Sequence, residues 1–389
     1  MSELGFLEKL LDGAEVEWKP LGTVTAYEQP TKYLVKSKNY DDRFSTPVLT
    51  AGKTFVLGYT DETSGIYEAS KSPTIIFDDF TTANKWVDFD FKAKSSAMKM
   101  ITSSDDEKFH LKYIYHWLNT MPSGLVAGDH KRQWISNYSS KAIPIPCPED
   151  PEKSVAIQGE IVRILDSFTE LTAELTAELT AELEARKKQY NHYRDELLTF
   201  KEGEAEWKAL ADVAEIGTGT RNTQDATEDG EFVFYARGRD PLKLNAFDFD
   251  ETAIITAGDG AGVGKVFHYA EGKFALHQRA YRIVPTQVMN PRFVYHCIRS
   301  HFYDYIQRAS VNSSVTSLRR PMFLKFPIPV PSLDEQARIA AILDTFDTLT
   351  TSLSEGLPRE IELRQKQYEY YRDLLLSFPK PDEKSKAAA

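Results

Sequence analysis

The chain of 389 residues is 41% hydrophobic and 27% charged, which is enough for two or three globular domains with sizeable cores. No apolar run approaches the ~18 residues of a membrane span. The first residues lack the basic and apolar regions of a signal peptide, so we expect a cytoplasmic protein. Two cysteines are too few for a disulfide framework. The formal net charge of −11 disfavours nucleic acid as a partner without excluding it, because charge distribution matters more than the sum.

The chain contains an internal repeat. Residues 161–172 (IVRILDSFTELT) align with residues 339–350 (IAAILDTFDTLT), and residues 186–200 (RKKQYNHYRDELLTF) align with residues 364–378 (RQKQYEYYRDLLLSF). Both alignments have an offset of 178 positions, from 161 to 339 and from 186 to 364. Because the offset is the same on both sides of the tract TAELTAELTAEL (residues 172–183), the two copies have equal length, which indicates a duplicated protein.

The repeated segments predict long helices. Leucines recur every four residues, Ala and Glu favour helix, and only Gly159 interrupts residues 154–200. A helix of about 45 residues is a rod of roughly 70 Å, and its leucine stripe requires a partner. The second copy supplies that partner, with an expected break at Gly356 and Pro358. Two copies in one chain predict a pseudo-two-fold arrangement with the long helices antiparallel.

The two blocks between the repeats predict mixed structure. TIIFDDF and KWVDFDF in the first block, and EFVFYARG and ETAIITAG in the second, are short β-type runs. Helical runs follow them at residues 108–120 and 291–309, and the proline-rich segments IPIPCP and FPIPVP close the blocks. The predicted fold class is therefore α+β, with two globular domains separated by two long antiparallel helices that form a coiled-coil spacer. The predicted ranges are 1–152 and 204–331 for the globular domains, 153–203 and 332–379 for the helices, and 380–389 for a flexible tail.

Two motifs resemble catalytic sequences but fit simpler structures better. AGDGAGVGKV (residues 257–266) resembles a phosphate-binding loop, but Asp259 stands where that motif needs glycine, and valine replaces its final Ser or Thr. A glycine-rich turn between two strands is favoured. NPRF (residues 290–293) resembles the NPPY/F motif of adenine methyltransferases, with arginine in place of the second proline. Asn290 as a helix N-cap, with proline at the first helical position, explains this run better.

One alternative hypothesis makes the chain a metal-dependent nuclease. Asp78, Asp79, Asp90 and Lys92 supply the carboxylates and the lysine that such a site places around one Mg²⁺. However, VDFDFKAK alternates polar and apolar residues as any half-buried strand does, and the second block has no counterpart. Neither the histidines nor the serines show catalytic or metal-binding spacing. We therefore expect no catalytic centre and no metal site in this chain.

Recognition chemistry occurs in both blocks. In the first, the polar and aromatic loop FDDFTTANKW can read base edges, and basic residues follow in KAKSSAMKM and GDHKRQW. The second block has GDGAGVGK at the corresponding place, followed by LHQRAYR and SVNSSVTSLRR. Each loop alone is more simply a solvated turn, but their occurrence at equivalent places favours binding. The candidate DNA-contacting residues are Phe77, Asp78, Asp79, Thr81, Thr82, Asn84, Lys85, Lys94, Lys99, Lys131, Arg132, Gln133, Arg221, Asp259, Lys265, His277, Gln278, Arg279, Ser314, Arg319 and Arg320.

The sequence resembles a known family. Duplicated helices bearing QY..YRD.L..F, the proline-rich exits and the entries LGTV and LADV resemble the DNA-specificity subunit of Type I restriction–modification enzymes over essentially the whole chain. The tandem TAEL tract is similar to that of a subgroup with such a repeat in its central helix. The resemblance implies that each block is a target-recognition domain that reads one part of a bipartite site in double-stranded DNA, and that the chain itself is non-catalytic.

The resemblance also implies partners. Two methyltransferase subunits, which bind S-adenosylmethionine, and restriction subunits, which use ATP and Mg, are expected to assemble with this chain, and no cofactor is expected in the chain itself. The long helices would dock the methyltransferases. The candidate partner-contacting residues are Leu171, Leu175, Leu179, Tyr190, Tyr193, Leu197, Leu349, Tyr368, Tyr371 and Leu375. A coiled-coil interaction protein that does not bind DNA is the remaining alternative.

The TAEL tract has a predicted function of its own. Each added TAEL lengthens a helix by about 6 Å, which is one to two base-pair steps at about 3.4 Å each. We therefore predict that the repeat number sets the spacer between the two parts of the DNA site and leaves the bases read unchanged.

Overall fold

The computed structural model describes residues 5–52, 54–122, 132–309, 320–351 and 355–379. Its contacts divide the chain into two compact units. Unit 1 holds the residues up to Ala177 and those from Glu362 onward, and unit 2 holds the residues Glu178–Ile361. Each unit thus contains one variable block and parts of both long helical segments. The predicted ranges listed the globular domains and the helices separately, whereas the contacts group each block with parts of the helices. None of the helices in the described ranges is both long and apolar enough to cross a membrane.

The helices of the described residues fall into short connecting turns and longer packing elements. In chain order they are α1 (Gly5–Leu11), α2 (Leu21–Val24), α3 (Leu111–Leu118), α4 (Gln133–Ser136), α5 (Pro151–Leu197), α6 (Leu210–Val213), α7 (Pro291–Ala309), α8 (Arg320–Leu324), α9 (Leu333–Thr351) and α10 (Leu357–Leu375). The helices predicted in the two blocks are present as α3 and α7, so those predictions are confirmed.

In the described residues of unit 1, nine strands form three small sheets. They are β1 (Val16–Pro20), β2 (Thr25–Glu28), β3 (Thr46–Leu49), β4 (Val56–Thr60), β5 (Thr74–Asp78), β6 (Asn84–Val87), β7 (Lys92–Ala93), β8 (Met98–Ser103) and β9 (Ala142–Pro146). The strand orders are β2-β8-β5-β6, β4-β3-β7 and β1-β9. All pairs are antiparallel except β3 with β7.

The part of unit 2 that the structure describes repeats this plan with ten strands. They are β10 (Glu206–Ala209), β11 (Ala214–Thr218), β12 (Phe232–Tyr235), β13 (Leu242–Leu244), β14 (Phe249–Asp250), β15 (Ala253–Ala257), β16 (Phe267–Ala270), β17 (Lys273–Leu276), β18 (Ala280–Pro285) and β19 (Pro327–Val330). The strand orders are β11-β18-β15-β16, β13-β12-β17-β14 and β10-β19. The single parallel pair is β12 with β17, which corresponds to β3 with β7.

The strand plan confirms the duplication in the blocks, where the sequences share little. The hairpin β5–β6 and the hairpin β15–β16 occupy the same place in their sheets, each at one end of a four-stranded order. The proline-rich exits form β9 and β19, each in a two-stranded sheet. Proline is tolerated there because an edge strand does not need every N–H for pairing.

The long helix α5 is continuous over 47 residues and includes the whole TAEL tract, which confirms the predicted helix. It starts with Pro151 after Asp150, whose carboxylate accepts a hydrogen bond from the backbone N–H of Lys153 at 3.1 Å, as an N-cap does. The second copy is interrupted between the end of α9 at Thr351 and the start of α10 at Leu357. The predicted break at Gly356 and Pro358 is confirmed.

Each unit buries one stretch of the long helices in its own core. In unit 1, Ile161 and Leu165 of α5 are fully buried, and the Phe168 ring stacks on Tyr371 of α10 with 5.7 Å between centroids. Thr169 is bonded to Tyr368, one turn earlier on α10, so the two helices run antiparallel within this unit, as predicted. In unit 2, Leu343 of α9 is fully buried in the corresponding core.

Candidate nucleic-acid interface

The loop between β5 and β6 carries several of the DNA contacts predicted for the first block. The Asp78 carboxylate accepts hydrogen bonds from the backbone N–H groups of Phe80 at 2.9 Å and Thr81 at 2.8 Å. Thr82 has a φ of +60°, which completes the tight turn. Phe80 is 47% exposed and Thr81 is exposed at the tip, so the turn presents an aromatic ring and a hydroxyl to solvent.

Beneath this loop lies a buried ion pair. Oδ2 of Asp79 is 2.6 Å from Nζ of Lys99, and both side chains are completely buried. The other carboxylate oxygen of Asp79 accepts a hydrogen bond from the backbone N–H of Trp134 at 3.0 Å, and its backbone carbonyl accepts one from Gln133 at 2.9 Å. Asp79 therefore ties the loop both to β8 and to the start of α4.

Several sequence-based predictions need correction in unit 1. Phe77 is buried between Trp134 and Tyr138, and Asp79 and Lys99 are buried with it. Their side chains are inaccessible, so the prediction that they contact DNA is wrong for this conformation. The same correction applies, by burial, to Thr82 and Gln133.

Other predicted residues of unit 1 remain accessible. Lys85 on β6 and Arg132 before α4 are exposed, and Arg132 lies 3.7 Å from the Asp79 carboxylate. Asn84 is half-buried, and Lys94 is half-buried with its Nζ 2.8 Å from the Tyr40 hydroxyl. Lys131 lies outside the described residues.

In unit 2, Asp259 of the loop between β15 and β16 forms an accessible charge cluster with Arg237, which follows β12, and Arg279, which precedes β18. The Asp259 carboxylate accepts hydrogen bonds from Arg237 at 2.9 Å and Arg279 at 2.8 Å. The side chain of Arg279 is 63% exposed. Burial raises the pKa of Asp259, but the two arginines outweigh it and hold that pKa below its usual range. This cluster keeps two guanidinium groups at the surface in fixed positions, as contacts to phosphate or base edges require.

The glycines of this loop permit a close approach of backbone to backbone. A side chain at Gly258 would lie 2.7 Å from the carbonyl oxygen of Arg279, and one at Gly262 would lie 2.7 Å from that of Arg237. Only glycine leaves room for the loop to lie against the segments that carry both arginines. The glycine-rich run is therefore a turn between two strands, as predicted, and not a phosphate-binding loop.

A second polar group lies beside this cluster. Arg221 donates to the Asp248 carboxylate at 2.8 Å, while the exposed Gln278 is held by Asn222. His277 is buried and stacked on the Phe234 ring, so the prediction that it contacts DNA is corrected by burial. The exposed Lys265 lies over the Tyr303 ring, 5.0 Å from its centroid.

Among the described residues, the last predicted DNA contact of unit 2 is Arg320. Arg320 is exposed at the start of α8 and donates to the carbonyl of Ile216 at 3.2 Å. Ser314 and Arg319 lie outside the described residues. The sequence interpretation missed Arg237, because a single arginine in EFVFYARG carries no signal until the fold places it beside Asp259.

The residues of the nuclease alternative do not share a site. Asp79 pairs with Lys99, Asp90 accepts a hydrogen bond from the Ser70 hydroxyl at 2.6 Å, and Lys92 lies 3.0 Å from the Glu62 carboxylate. Each group is thus engaged with its own partner. No cluster of three or more potential metal ligands occurs in the described ranges.

The blocks are joined to the long helices by a buried glutamine that occurs in both units. In unit 1, Gln158 of α5 accepts a hydrogen bond from the N–H of His110 at 2.9 Å and donates to the carbonyl of Lys108 at 3.0 Å. In unit 2, Gln336 of α9 makes the same two bonds, with Asn290 N–H at 2.7 Å and the Val288 carbonyl at 3.1 Å. Both glutamines are completely buried.

An aspartate two turns further along each helix completes this joint. Asp166 lies 2.7 Å from Lys112 Nζ and 2.9 Å from His116 Nε2, both from α3. Asp344 binds Arg292 and His296 of α7 in the same way. Asp166 and Asp344 correspond because the long helices repeat with an offset of 178 positions. Their partners on α3 and α7 correspond because those two helices are offset by 180 positions. The glutamine and aspartate contacts together form what we call the helix joint.

The histidines of the helix joint are buried. Burial lowers the pKa of both His116 and His296, although the adjacent carboxylate opposes this shift. A carboxylate can only accept hydrogen bonds, so Nε2 of each neutral histidine is the donor. Asn290, which opens α7, also accepts hydrogen bonds from the N–H groups of Arg292 and Phe293. Its predicted function as an N-cap is confirmed.

The predicted partner-contacting residues differ widely in exposure. Leu171 is 51% exposed, and Tyr193 and Tyr371 are exposed. Leu375 is buried in the core of unit 1, so its prediction as a contact is corrected. The others are half-buried: Leu175, Leu179, Tyr190, Leu197, Leu349 and Tyr368.

The two equivalent hairpin loops, each on an α+β unit attached to a long helix, define a duplicated recognition protein. The Type I restriction modification DNA specificity domain matches residues 15–185 and 203–363. The chain is 57% identical, over 98% of its length and 99% of the relative's, to the Escherichia coli "Type I restriction enzyme EcoR124I/EcoR124II specificity subunit". It is 32% identical, over 96% of its length and 98% of the relative's, to a putative type I restriction enzyme specificity subunit of Haemophilus influenzae.

A solved structure has the same fold. The crystal structure of the Type I restriction–modification S subunit from M. genitalium matches with a TM-score of 0.58 and 16% identity, covering 95% of this chain and 98% of that one. The chain belongs to the family of Type I restriction–modification DNA specificity subunits. The prediction of a non-catalytic specificity subunit is confirmed by these relatives, and neither the nuclease nor the DNA-independent alternative receives support.

Proposed function

We propose that each unit reads one part of a bipartite DNA site through the hairpin loop of its four-stranded sheet. One observation carries this proposal: the β5–β6 and β15–β16 loops occupy the same place in the same strand order, yet differ in sequence and chemistry. A shared scaffold with divergent loops is suited to reading two different base sequences.

The two loops present different groups to DNA. Phe80 and Thr81 lead in unit 1, with Lys85 and Arg132 available for phosphate contact. In unit 2, Asp259 of the loop holds Arg237 and Arg279 from neighbouring segments beside it, and Arg is the residue that most often recognises guanine by two hydrogen bonds. Phosphate contacts fix the position on the duplex and base contacts supply the sequence information.

The test of this proposal is an exchange of one variable block for that of a relative, followed by mapping of methylated adenines in DNA modified by the assembled enzyme. We expect only one part of the recognised sequence to change for each exchange. If a single exchange altered both parts, or neither, separate reading by the two units would be wrong.

The long helices are proposed to dock the methyltransferase subunits. The exposed apolar groups Leu171 and Tyr371 in unit 1, and Tyr193 in unit 2, support this, because large apolar groups at a helix surface mark contact sites when they cluster. We expect Leu171→Ser to reduce co-purification with the methyltransferase subunit and leave thermal stability unchanged. Thr172→Ser, at a half-buried neighbour, is the matched control. If Leu171→Ser still co-purified fully with the methyltransferase subunit, Leu171 would not belong to the docking surface.

The TAEL tract is proposed to set the spacer between the two parts of the site. The tract lies wholly within the uninterrupted helix α5, so an added or deleted TAEL changes the length of a continuous helix by about 6 Å. The change leaves the loops that read the bases untouched.

A further inference from the structure

The two units differ at one core position next to the helix joint. His116 of α3 and His296 of α7 bind the corresponding aspartates, so the residues that follow them, Trp117 and Cys297, occupy corresponding positions. A tryptophan in one unit thus stands where the other has a much smaller side chain.

In unit 1 the Trp117 indole fills the space at this position. Its ring packs edge-on against Trp18, with 5.6 Å between centroids, and against Phe378, with 6.5 Å. Its Nε1–H donates a hydrogen bond to the carbonyl of Ala142 at 3.0 Å. Three neighbours therefore hold the ring from different sides.

In unit 2 the counterparts of these three neighbours line a cavity of about 330 Å³. Phe200 corresponds to Phe378 by the helix repeat. Phe200 packs on Phe293 of α7, and Phe378 packs on Tyr113, which is the corresponding residue of α3. The cavity wall that faces Phe200 includes Cys297.

The other two neighbours also have counterparts in the cavity wall. Trp207 corresponds to Trp18 in the two EWK segments and is 52% exposed. Pro327 pairs with the last residue of β10 as Ala142 pairs with the last residue of β1. The cavity in unit 2 is therefore the space that an indole occupies in unit 1.

We propose that this cavity binds an aromatic ring of indole size supplied by another molecule. Its volume lies at the lower end of the roughly 300–1,000 Å³ of small-molecule sites, and its walls are aromatic rings and prolines. The residues outside the described ranges contain no Phe, Tyr or Trp, so this chain holds no spare ring in those segments to fill it. Asp304 and Arg308 at the rim supply polar partners for groups beside the ring.

Two sources could present the same ring. One is an aromatic side chain of a partner protein, the type of residue that most often anchors an interface. The other is a free aromatic molecule. Both require the same chemistry in the cavity, whose lining includes the rings of Phe200, Trp207 and Tyr305 and two prolines.

The test uses 5-fluoroindole as the probe and fluorine NMR of the full chain as the measurement. We expect the wild-type chain to bind one probe molecule. Cys297→Trp fills the cavity as Trp117 fills its counterpart, and we expect binding to weaken by roughly tenfold or more. Trp117→Cys should open a second site. No binding by the wild type, or equal binding by Cys297→Trp, would overturn the proposal.

A second variant guards against failure of Cys297→Trp to fold. Cys297→Phe introduces a smaller ring and is expected to weaken probe binding in the same direction, with folding checked by thermal unfolding. Binding of 5-fluoroindole does not depend on DNA reading. The block exchange can therefore fail while the probe binds, and the probe can fail to bind while the block exchange succeeds. The proposal on DNA reading and the proposal on ring binding are thus tested separately.

The same probe distinguishes the two sources. It is titrated into the complex assembled with the methyltransferase and restriction subunits. Loss of probe binding in the complex assigns the ring to a partner side chain, and retention assigns it to a free molecule. Either result supports a ring-binding cavity whose occupant comes from outside the chain.

Discussion

Asp79 and Lys99 form an ion pair with 2.6 Å between Oδ2 and Nζ, and neither side chain reaches solvent. In unit 2 the ion pair between Asp259 and Arg279 lies at the surface, and the side chain of Arg279 is 63% exposed. The hairpin loop of one unit is thus tied to a buried ion pair, and the hairpin loop of the other to an accessible charge cluster.

Lys99→Met is expected to destabilise the chain by about 3–5 kcal/mol, because removing one partner leaves the Asp79 charge buried without compensation. The free energy of unfolding in urea measures this. The double variant Asp79→Asn with Lys99→Met removes both charges, keeps an acceptor for the Trp134 N–H and should recover part of the loss. Lys85→Met, at an exposed lysine, is the matched control, and an equal effect of the two lysine variants would contradict the prediction.

Arg279→Ala is expected to weaken DNA binding by about tenfold, the lower part of the 1–3 kcal/mol range for a base contact. The measurement is fluorescence anisotropy of the assembled complex with duplexes in which one or the other part of the site is scrambled. The effect should vanish when the part read by unit 2 is scrambled. Arg338→Ala, an exposed arginine on α9 paired with Glu335, is the control; a loss as large for Arg338 would place the binding surface elsewhere.

Gln158→Leu and Gln336→Leu are each expected to lower the free energy of unfolding by about 1–3 kcal/mol, because each leaves a backbone N–H and a backbone carbonyl at a partly buried site without their partner. Chemical denaturation of both variants measures this. The two losses should be similar because the two bonds to the block are the same and each glutamine makes one further bond, Gln158 to the Ser154 hydroxyl and Gln336 to the Pro331 carbonyl. Gln365→Leu, at an exposed position of α10, should be nearly neutral. A large difference between the two joint variants would show that the joints are not equivalent.

Acidification is expected to weaken the helix joint. Because the pKa values of His116 and His296 are lowered in the folded state, the unfolded chain binds more protons below its histidine pKa of about 6.5. The stabilising contribution is therefore complete above that pH and is lost as the pH falls towards the folded pKa values.

Thermal unfolding at about pH 7.5 and about pH 5.5 checks this pH dependence. The double variant His116→Gln with His296→Gln should lose less stability between the two conditions than the wild type. His192→Gln replaces an exposed histidine and should behave as the wild type does. An unchanged loss in the double variant would exclude the joint histidines as its cause.

Deletion of one TAEL from α5 is expected to change the preferred spacer by one to two base pairs, because the helix shortens by about 6 Å and base pairs are about 3.4 Å apart. Methylation mapping measures the spacer. The bases on either side should stay the same. A variant that replaces one TAEL by TAEM keeps the length and controls for composition, and an unchanged spacer after the deletion would end the hypothesis.

The sequence by itself determined the duplication, the continuous helix through the TAEL tract, the break near Pro358 and the family. These depend on local periodicity, on helix-breaking residues and on a repeat with a constant offset, which are properties of neighbouring residues in the chain. Asn290 before Pro291 belongs to the same class, because a helix cap is local.

Only the tertiary structure decided which polar residues are accessible. Phe77 and Asp79 are buried by packing against Trp134, which is more than fifty positions away in the chain, and Lys99 is buried with Asp79 from a different strand. A buried carboxylate and an exposed one look identical in sequence, because burial depends on contacts between distant segments.

The residues of the helix joint recur in the sequence at constant offsets, but only the fold shows that they bind one another. Gln158 and Gln336, and Asp166 and Asp344, are each separated by the repeat offset, while their partners on α3 and α7 follow a different offset in blocks that otherwise diverge. The structure connects the two offsets because a buried hydrogen bond must be satisfied across segments. The empty counterpart of Trp117 is of the same kind, since a cavity exists only where distant side chains fail to fill a shared space.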